Sequence, residues 1–561
     1  MAALLVFLGL ALPWLNPVTW GPVSGALPLW FSWVCATVAL GVIAAAPARW
    51  SAGQLMRVAA GAWLVAALIS VFIGLLQYVG AADVLAGWVS PTPLGVAFAN
   101  LRQRNQFASL TSLGLVALLW WVTCQAAPQT ASKLNDLKLN GSTPPLTPLP
   151  LGDAFRPQAG LHLAGTLGAA ILLGVGNAAS SSRTGLMQLV LISGLAMVWA
   201  GLRQPAVRRT LLVAGLAYGL ASIALPWLAG LDPLSNGAWA RLRDGDSACA
   251  SRLTLWGNVL HLIAQKPWLG WGWGELDYAH FITLYPGERF CDILDNAHNL
   301  PLHLAVELGV PAATLLCGAV LVAVWRAKPW RETDPMRQLT WAGVAVIGLH
   351  SLLEYPLWYG PFQVALGLCG WFLWRTRAHA GHQGLPNGSP TAFDPNLKPF
   401  DPLAGVSIAL IAIPLIFFGG YVTWDYCRIS QVYLSPAKRL AAYRENTLAK
   451  IQGSVLFKQQ VRFAELTTTP LTAANAAHQH HLALTLLHFS PEPRVIKKLI
   501  DSAELLGRPG EAQFYRVRLE AAFARKQAIA APAARRLAPA EVHHAGGERV
   551  RPGRPAIPAP A

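Results

Sequence analysis

Charged side chains are what this sequence has least of. They make up 12% of its 561 residues, about half the share usual in a soluble domain. With a hydrophobic content of 54%, that shortage excludes an ordinary soluble enzyme. Acids number 27 against 43 bases, and no acidic cluster marks a cage for a divalent metal. There is no Walker loop, no dinucleotide fingerprint after a strand, no CxxC and no HExxH. The commonest nucleotide, redox and zinc-hydrolase chemistries therefore have no footing. His303 and Glu307 are four apart, but two ligands do not make a metal site. A basic stretch and a small-x-small cleavage site are also missing around the first apolar run, which is expected to be a retained span.

Long apolar runs are what the chain has instead. Runs of about 20 residues recur over its first three quarters, enough to cross a bilayer as helices. About eleven spans are expected, from Ala2–Leu15 to Leu403–Trp424, the eighth being Asn299–Trp325. The expected fold is all-α and polytopic, with a transmembrane domain over 1–425 and one long loop over 231–299. Residues 426–527 read as a helical, hairpin-like domain, and 528–561, rich in Ala, Pro and Arg, as a disordered tail. The Pro-rich loops 125–158 and 379–402 read as flexible cytoplasmic connections.

Lys and Arg concentrate in alternate loops, such as Arg203, Arg208 and Arg209, then Arg326, Lys328, Arg331 and Arg337. Those loops are expected in the cytoplasm, which puts 231–299 outside. The net charge of +16 is spread over these loops and the C-terminal region, and no nucleic-acid partner is expected. The outside loops hold few cations, in compact motifs: Arg102 and Arg104 in NLRQRNQ, Arg183 in SSSRTG, and Arg241, Arg243 and Arg252 around ARLRDGDSACASRLTLW. Either an anionic ligand favours them there, because guanidinium grips phosphate in a fork, or they snorkel to headgroups.

The segment DNAHNL, residues 295–300, opens the eighth expected span, and His298, His303 and Glu307 follow closely. Ionisable groups are costly there, so the segment is either a functional site or a polar helix cap. Cys249 and Cys291 share the long loop. In an oxidising compartment they pair; otherwise they are two free thiols.

These residues carry a resemblance. DNAHNLPLHLAVELGV resembles the His-Asn…Glu-x-Gly signature of the O-antigen ligase/polymerase superfamily. NLRQRNQFAS, SSSRTGLMQL and HSLLEYPLWYGPF resemble its protein O-oligosaccharyltransferase branch. The resemblance implies a multi-pass inner-membrane glycosyltransferase with its site towards the periplasm and no metal or cofactor. It implies an undecaprenyl-diphosphate-linked glycan as donor and a Ser or Thr hydroxyl of a periplasmic or pilin-like protein as acceptor.

A hydroxyl needs a base, for which His298 is the candidate, oriented by Asn299 or Glu307. The leaving diphosphate needs fixed cations, Arg183 and Arg252 first, then Arg102 and Arg104. Asn105, Gln106 and Tyr355 are expected to contact substrate. Glu354 either holds an arginine or the acceptor, or forms a structural ion pair. Ligation or polymerisation of O-antigen shares the same donor. A solute or lipid transporter is the alternative of another class, since intramembrane charge also suits it.

Overall fold

The computed structural model describes residues 1–16, 26–85, 87–138, 159–244, 248–291, 294–377 and 402–536. Among them the elements are all α-helices and short 3-10 turns. Six helices are long and apolar enough to cross a membrane: Pro28–Ala45, Ala52–Tyr78, Arg104–Gln125, Pro205–Leu228, Val310–Arg331 and Gly405–Tyr433. Ala2–Leu15, Leu163–Ala179 and Arg183–Val198 are shorter apolar helices, and Pro335–Leu353 and Gly360–Arg375 add two more. The protein is an all-α, multi-pass membrane protein.

Arg104–Gln125 stands at the centre, with 83% of its apolar window buried, whereas Val310–Arg331 is only 6% buried and faces outward. Small polar residues let neighbours approach the central helix. Ser109, Thr111 and Ser112 are all buried, and such residues are the usual contacts between spans.

The eighth expected span is not one helix. It breaks into Leu300–Leu308 and Val310–Ala327 at Gly309, whose φ is +88°. A Cβ on Gly309 would lie 2.2 Å from the Trp268 carbonyl oxygen, so only glycine fits that backbone and that approach. Pro311 then restarts the chain as a separate helix. The apolar pattern runs through the break, which is why hydropathy alone joins the two pieces.

The long loop is ordered by a core of its own. Leu255, Leu262, Leu276, Leu294 and Val306 pack together beneath helices Arg252–Gln265, Leu276–Ile282 and Leu300–Leu308. Phe281 of this loop is 3% exposed and shares a second core with Leu486, Ile496 and Leu499 of the C-terminal helices. Burying such a ring contributes about 1.5–3 kcal/mol. Arg518 Nε donates to the Ile282 carbonyl at 2.8 Å. His488 Nδ1 lies 2.7 Å from Glu275 Oε2. The C-terminal helices and the long loop therefore lie on one side of the membrane.

The expected cytoplasmic segment 379–402 falls almost wholly outside the described residues, as do most of 125–158 and the tail from 537. The last helix, Pro509–Arg536, carries the chain into the stretch expected to begin the tail.

Candidate active site

Four helices begin at one place. Arg104 opens Arg104–Lys138, Ser182 caps Arg183–Val198, Ser251 caps Arg252–Gln265, and Asn299 caps Leu300–Leu308. The caps follow the local rule that Ser and Asn oxygens accept otherwise unpaired N–H groups: Ser182 from Gly185, Ser251 from Thr254, Asn299 from Leu302. One helix ends there: Pro335–Leu353, with Glu354 just beyond it. Helix N-termini carry partial positive charge, so their convergence favours an anion.

Glu354 joins the groups. One of its oxygens accepts from the guanidinium of Arg252 and, at 2.6 Å, from Asn105 Nδ2. The other lies 2.6 Å from His298 Nδ1. Asn105 Oδ1 accepts from Ser182 Oγ at 2.6 Å. A single carboxylate, 3% exposed, thus ties together all four sequence motifs. Burial alone pushes this carboxyl up. The hydrogen bond and charge of His298 and the charge of Arg252 outweigh that and hold it below its ordinary value.

His298 is set by its backbone and by its ring. Its φ of +50° is left-handed, a conformation that costs a non-glycine residue of order 1–3 kcal/mol and is tolerated where the surroundings impose it. Here Asn296 Oδ1 accepts from the His298 N–H at 2.9 Å, and Trp256 Nε1 donates to the Ala297 carbonyl at 3.1 Å. A carboxylate is an acceptor only, so Nδ1 carries the hydrogen, which makes Nε2 the nitrogen that holds the lone pair whenever the ring is neutral. The ring is 24% exposed. That is the arrangement of an oriented base. Tyr355 stands edge-on to the ring, 4.9 Å between centroids.

The other expected site residues fall into three groups. Arg252 also donates to the carbonyl of Leu353, and Asn299 Nδ2 to that of Leu352 at 3.0 Å. Both therefore cap the negative end of the helix that delivers Glu354. Arg104 and Arg183 adjoin the bonded pair Asn105 and Ser182 along the chain, and Arg102 ends the preceding 3-10 turn with φ +60°. Arg104 also lies close enough to Arg241 for their charges to act on each other. Gln106 is buried, with its own N–H held by Gln103 Oε1 at 2.8 Å.

Glu307 does not reach His298. Its carboxylate accepts backbone N–H groups of Gly274 and Leu276, and its carbonyl accepts from Gly272 at 3.0 Å. It pins the Gly-Trp loop. His303 lies beside it at 3.5 Å, equally buried. Orientation of His298 falls to Glu354, 56 residues away along the chain.

Several supports of the site are not among its expected residues. His350 Nδ1 and Gln188 Nε2 both meet Ser109 Oγ, at 2.9 and 2.7 Å, directly beneath the site. Gln77 clasps the backbone of Ser90, Phe98 and Ala99, fixing the approach to Arg102. Asn258 holds the chain at Glu288 and Phe290. For Gln77, Gln188 and His350, polar residues inside apolar helices are the available signal; Asn258 lies in the long loop and has none.

Cys249 and Cys291 are bonded, with Cα atoms 5.2 Å apart. The bond ties the approach to Arg252 to the approach to His298. Closing a loop of this length stabilises by about 4 kcal/mol in the chain-entropy model. A variant with both cysteines changed to Ser is expected to insert normally but react several-fold more slowly. Non-reducing peptide mapping, with an activity assay on the same preparation, checks this; free thiols in the unmodified protein would remove the idea.

Comparison with known proteins finds family models matching three stretches of the chain. Residues 97–122 match the protein glycosylation ligase family model, 168–317 the O-antigen ligase model, and 338–538 the model for the C-terminal part of virulence factor membrane-bound polymerases. Between them these segments contain Asn105, Arg183, Arg252, His298 and Glu354. The class defined is thus a multi-pass membrane protein with O-antigen ligase and protein glycosylation ligase similarity.

More particularly, the chain is similar to a general O-oligosaccharyltransferase of Acinetobacter baylyi, 30% identical over 122 residues, 22% of this chain and 21% of that protein. It is also similar to a ComP-specific O-oligosaccharyltransferase of the same organism, 27% identical over 124 residues, 22% of each chain. These matches span about a fifth of either relative's length. No solved structure matches.

Proposed function

We propose that this protein is a glycosyltransferase that moves a glycan from undecaprenyl diphosphate to a Ser or Thr hydroxyl of a periplasmic or pilin-like protein. It works in the bacterial inner membrane with its site towards the periplasm. Residues 1–425 form the catalytic membrane domain and 426–527 a helical domain on the periplasmic side. The observation that carries this reading is the junction at Glu354, where an oriented histidine and an arginine meet among four helix N-termini.

The step follows from the chemistry. The acceptor hydroxyl gives its proton to His298 Nε2 as its oxygen bonds to the anomeric carbon. The bond from that carbon to the diphosphate oxygen breaks, and lipid diphosphate leaves with the electron pair. Attack opposite the leaving group inverts the anomeric centre. Diphosphate needs no protonation to leave, only stabilisation of its growing charge. Arg252, Arg183 and the helix ends supply that, with Arg102 and Arg104 behind them. Glu354 keeps the imidazole in the reactive tautomer and stabilises the imidazolium once formed.

Arg252→Lys keeps the charge but loses the fork that grips Glu354 and the Leu353 carbonyl together. Transfer is expected to fall at least ~10-fold while the protein accumulates normally. Turnover with lipid-diphosphate glycan decides, and wild-type turnover would reduce Arg252 to an interfacial anchor.

The match to O-antigen ligase and polymerase models supports a second reading with the same donor and a glycolipid acceptor. Co-expression with a lipid-linked glycan pathway and a pilin-like protein separates the two. A glycan-dependent mass shift on the protein supports the first reading. Modified lipid A or lengthened glycan, with the protein unmodified, supports the second.

A further inference from the structure

An aromatic path leads away from His298. Tyr355 meets its ring, and Trp358 stands edge-on to Tyr355 with centroids 6.5 Å apart. Trp273 lies parallel to Trp358, 6.2 Å between centroids and 12° between planes. Both indoles present edges or faces to buried His303, at 6.2 and 4.9 Å. Yet Trp273 is 64% exposed and Trp358 36%. Exposed aromatics gathered beside a candidate site are one mark of a binding surface.

Membrane proteins also carry exposed Trp simply as interfacial anchors, so the way this pair is held matters. Trp273 lies in a loop clamped at both ends. Trp271 N–H donates to the Val306 carbonyl at 2.8 Å and Gly272 N–H to that of Glu307 at 3.0 Å. The Glu307 carboxylate also accepts the backbone N–H groups of Gly274 and Leu276. At Gly270, φ is +69° and a Cβ would lie 2.4 Å from the Glu307 backbone. An anchor needs no such rigidity, whereas a recognition surface gains from it, because ordering a loop on binding costs affinity. The buried Glu307 and His303, which do not serve His298, thereby acquire a purpose: they fix the two indoles.

We propose that Trp273 and Trp358 form a stacking platform for sugar rings of the donor glycan beyond the ring that reacts. A pyranose has an apolar face of C–H groups that lies flat on an indole, leaving its hydroxyls in water. The inference rests on the functional reading above and extends it, since it makes glycan length a determinant of donor choice. The platform adjoins Tyr355, which itself meets the His298 ring.

The test uses the full chain in lipid nanodiscs with two donors. One is undecaprenyl diphosphate carrying a single N-acetylhexosamine; the other carries a pentasaccharide. Trp273→Ala is expected to raise KM for the pentasaccharide donor about tenfold, with kcat within about twofold of wild type. KM for the single-sugar donor should not move, and Trp273→Tyr should restore most of the loss. Trp358→Phe, a smaller change, should shift KM in the same donor-dependent way and guards against a misfolded alanine variant. An equal change for both donors, a change confined to acceptor KM, or no change overturns the platform while leaving the transferase reading intact. Wild-type protein that transfers neither glycan overturns both.

Discussion

Glu354→Gln is expected to cost transfer more than any other isosteric change, on the order of 10³–10⁴-fold in turnover. The side chain keeps its volume, so the helix ends around it can still pack. What is lost is an acceptor on both sides. The carboxylate accepts from Arg252 and Asn105 with one oxygen and from His298 with the other. An amide can accept on one side only. If its NH2 faces His298, Nδ1 must become the acceptor and Nε2 the protonated nitrogen, which leaves no lone pair for the substrate hydroxyl. If its NH2 faces Arg252, a donor meets a cation. Glu354→Asp should recover part of the loss, because it restores charge but not reach. Turnover, with fluorescence-detected size exclusion to establish folding, reads this out. Near-wild-type turnover of the Gln variant would remove Glu354 from the mechanism.

His298→Ala should lower transfer at least ~100-fold, the usual contribution of a positioned base. Donor binding should change little, because the proposed function gives the diphosphate to the arginines and helix ends rather than to the imidazole. The split between kcat and KM is therefore diagnostic. His303→Ala should behave differently: its buried ring supports the two indoles, so glycan-dependent KM should move more than kcat. A His298 variant that turns over normally would leave the acceptor hydroxyl without an assigned base.

Much of this site is legible as residue types and positions. Arginines in loops that topology keeps poor in cations, and a His-Asn pair where an apolar run begins, mark expensive groups. Their partners are less legible. Asn105 reads as a substrate contact, but its amide bridges Ser182 and Glu354, a relation across 77 and 249 residues that no local pattern encodes. Glu307 stands near His298 in sequence and on a helix, so it is a natural candidate to orient the ring. The break at Gly309 and the Gly-Trp loop turn it elsewhere. Pro311 directly after Gly309-Val310 was the local sign of that break. The fold shows the same division: apolar runs announce helices, whereas the docking of the C-terminal helices onto Phe281 depends on contacts over 200 residues apart and is visible only in three dimensions.

The most direct measurement uses three purified components: this protein in lipid nanodiscs, undecaprenyl-diphosphate glycan, and a pilin-like acceptor protein. Intact mass and peptide mapping are followed with time. The acceptor is expected to gain one glycan mass on a Ser or Thr with inverted anomeric configuration and lipid diphosphate to be released in equal amount, while the His298→Ala protein does neither. Acceptor left unmodified while the lipid-linked glycan is lengthened or moved to another lipid would contradict that expectation.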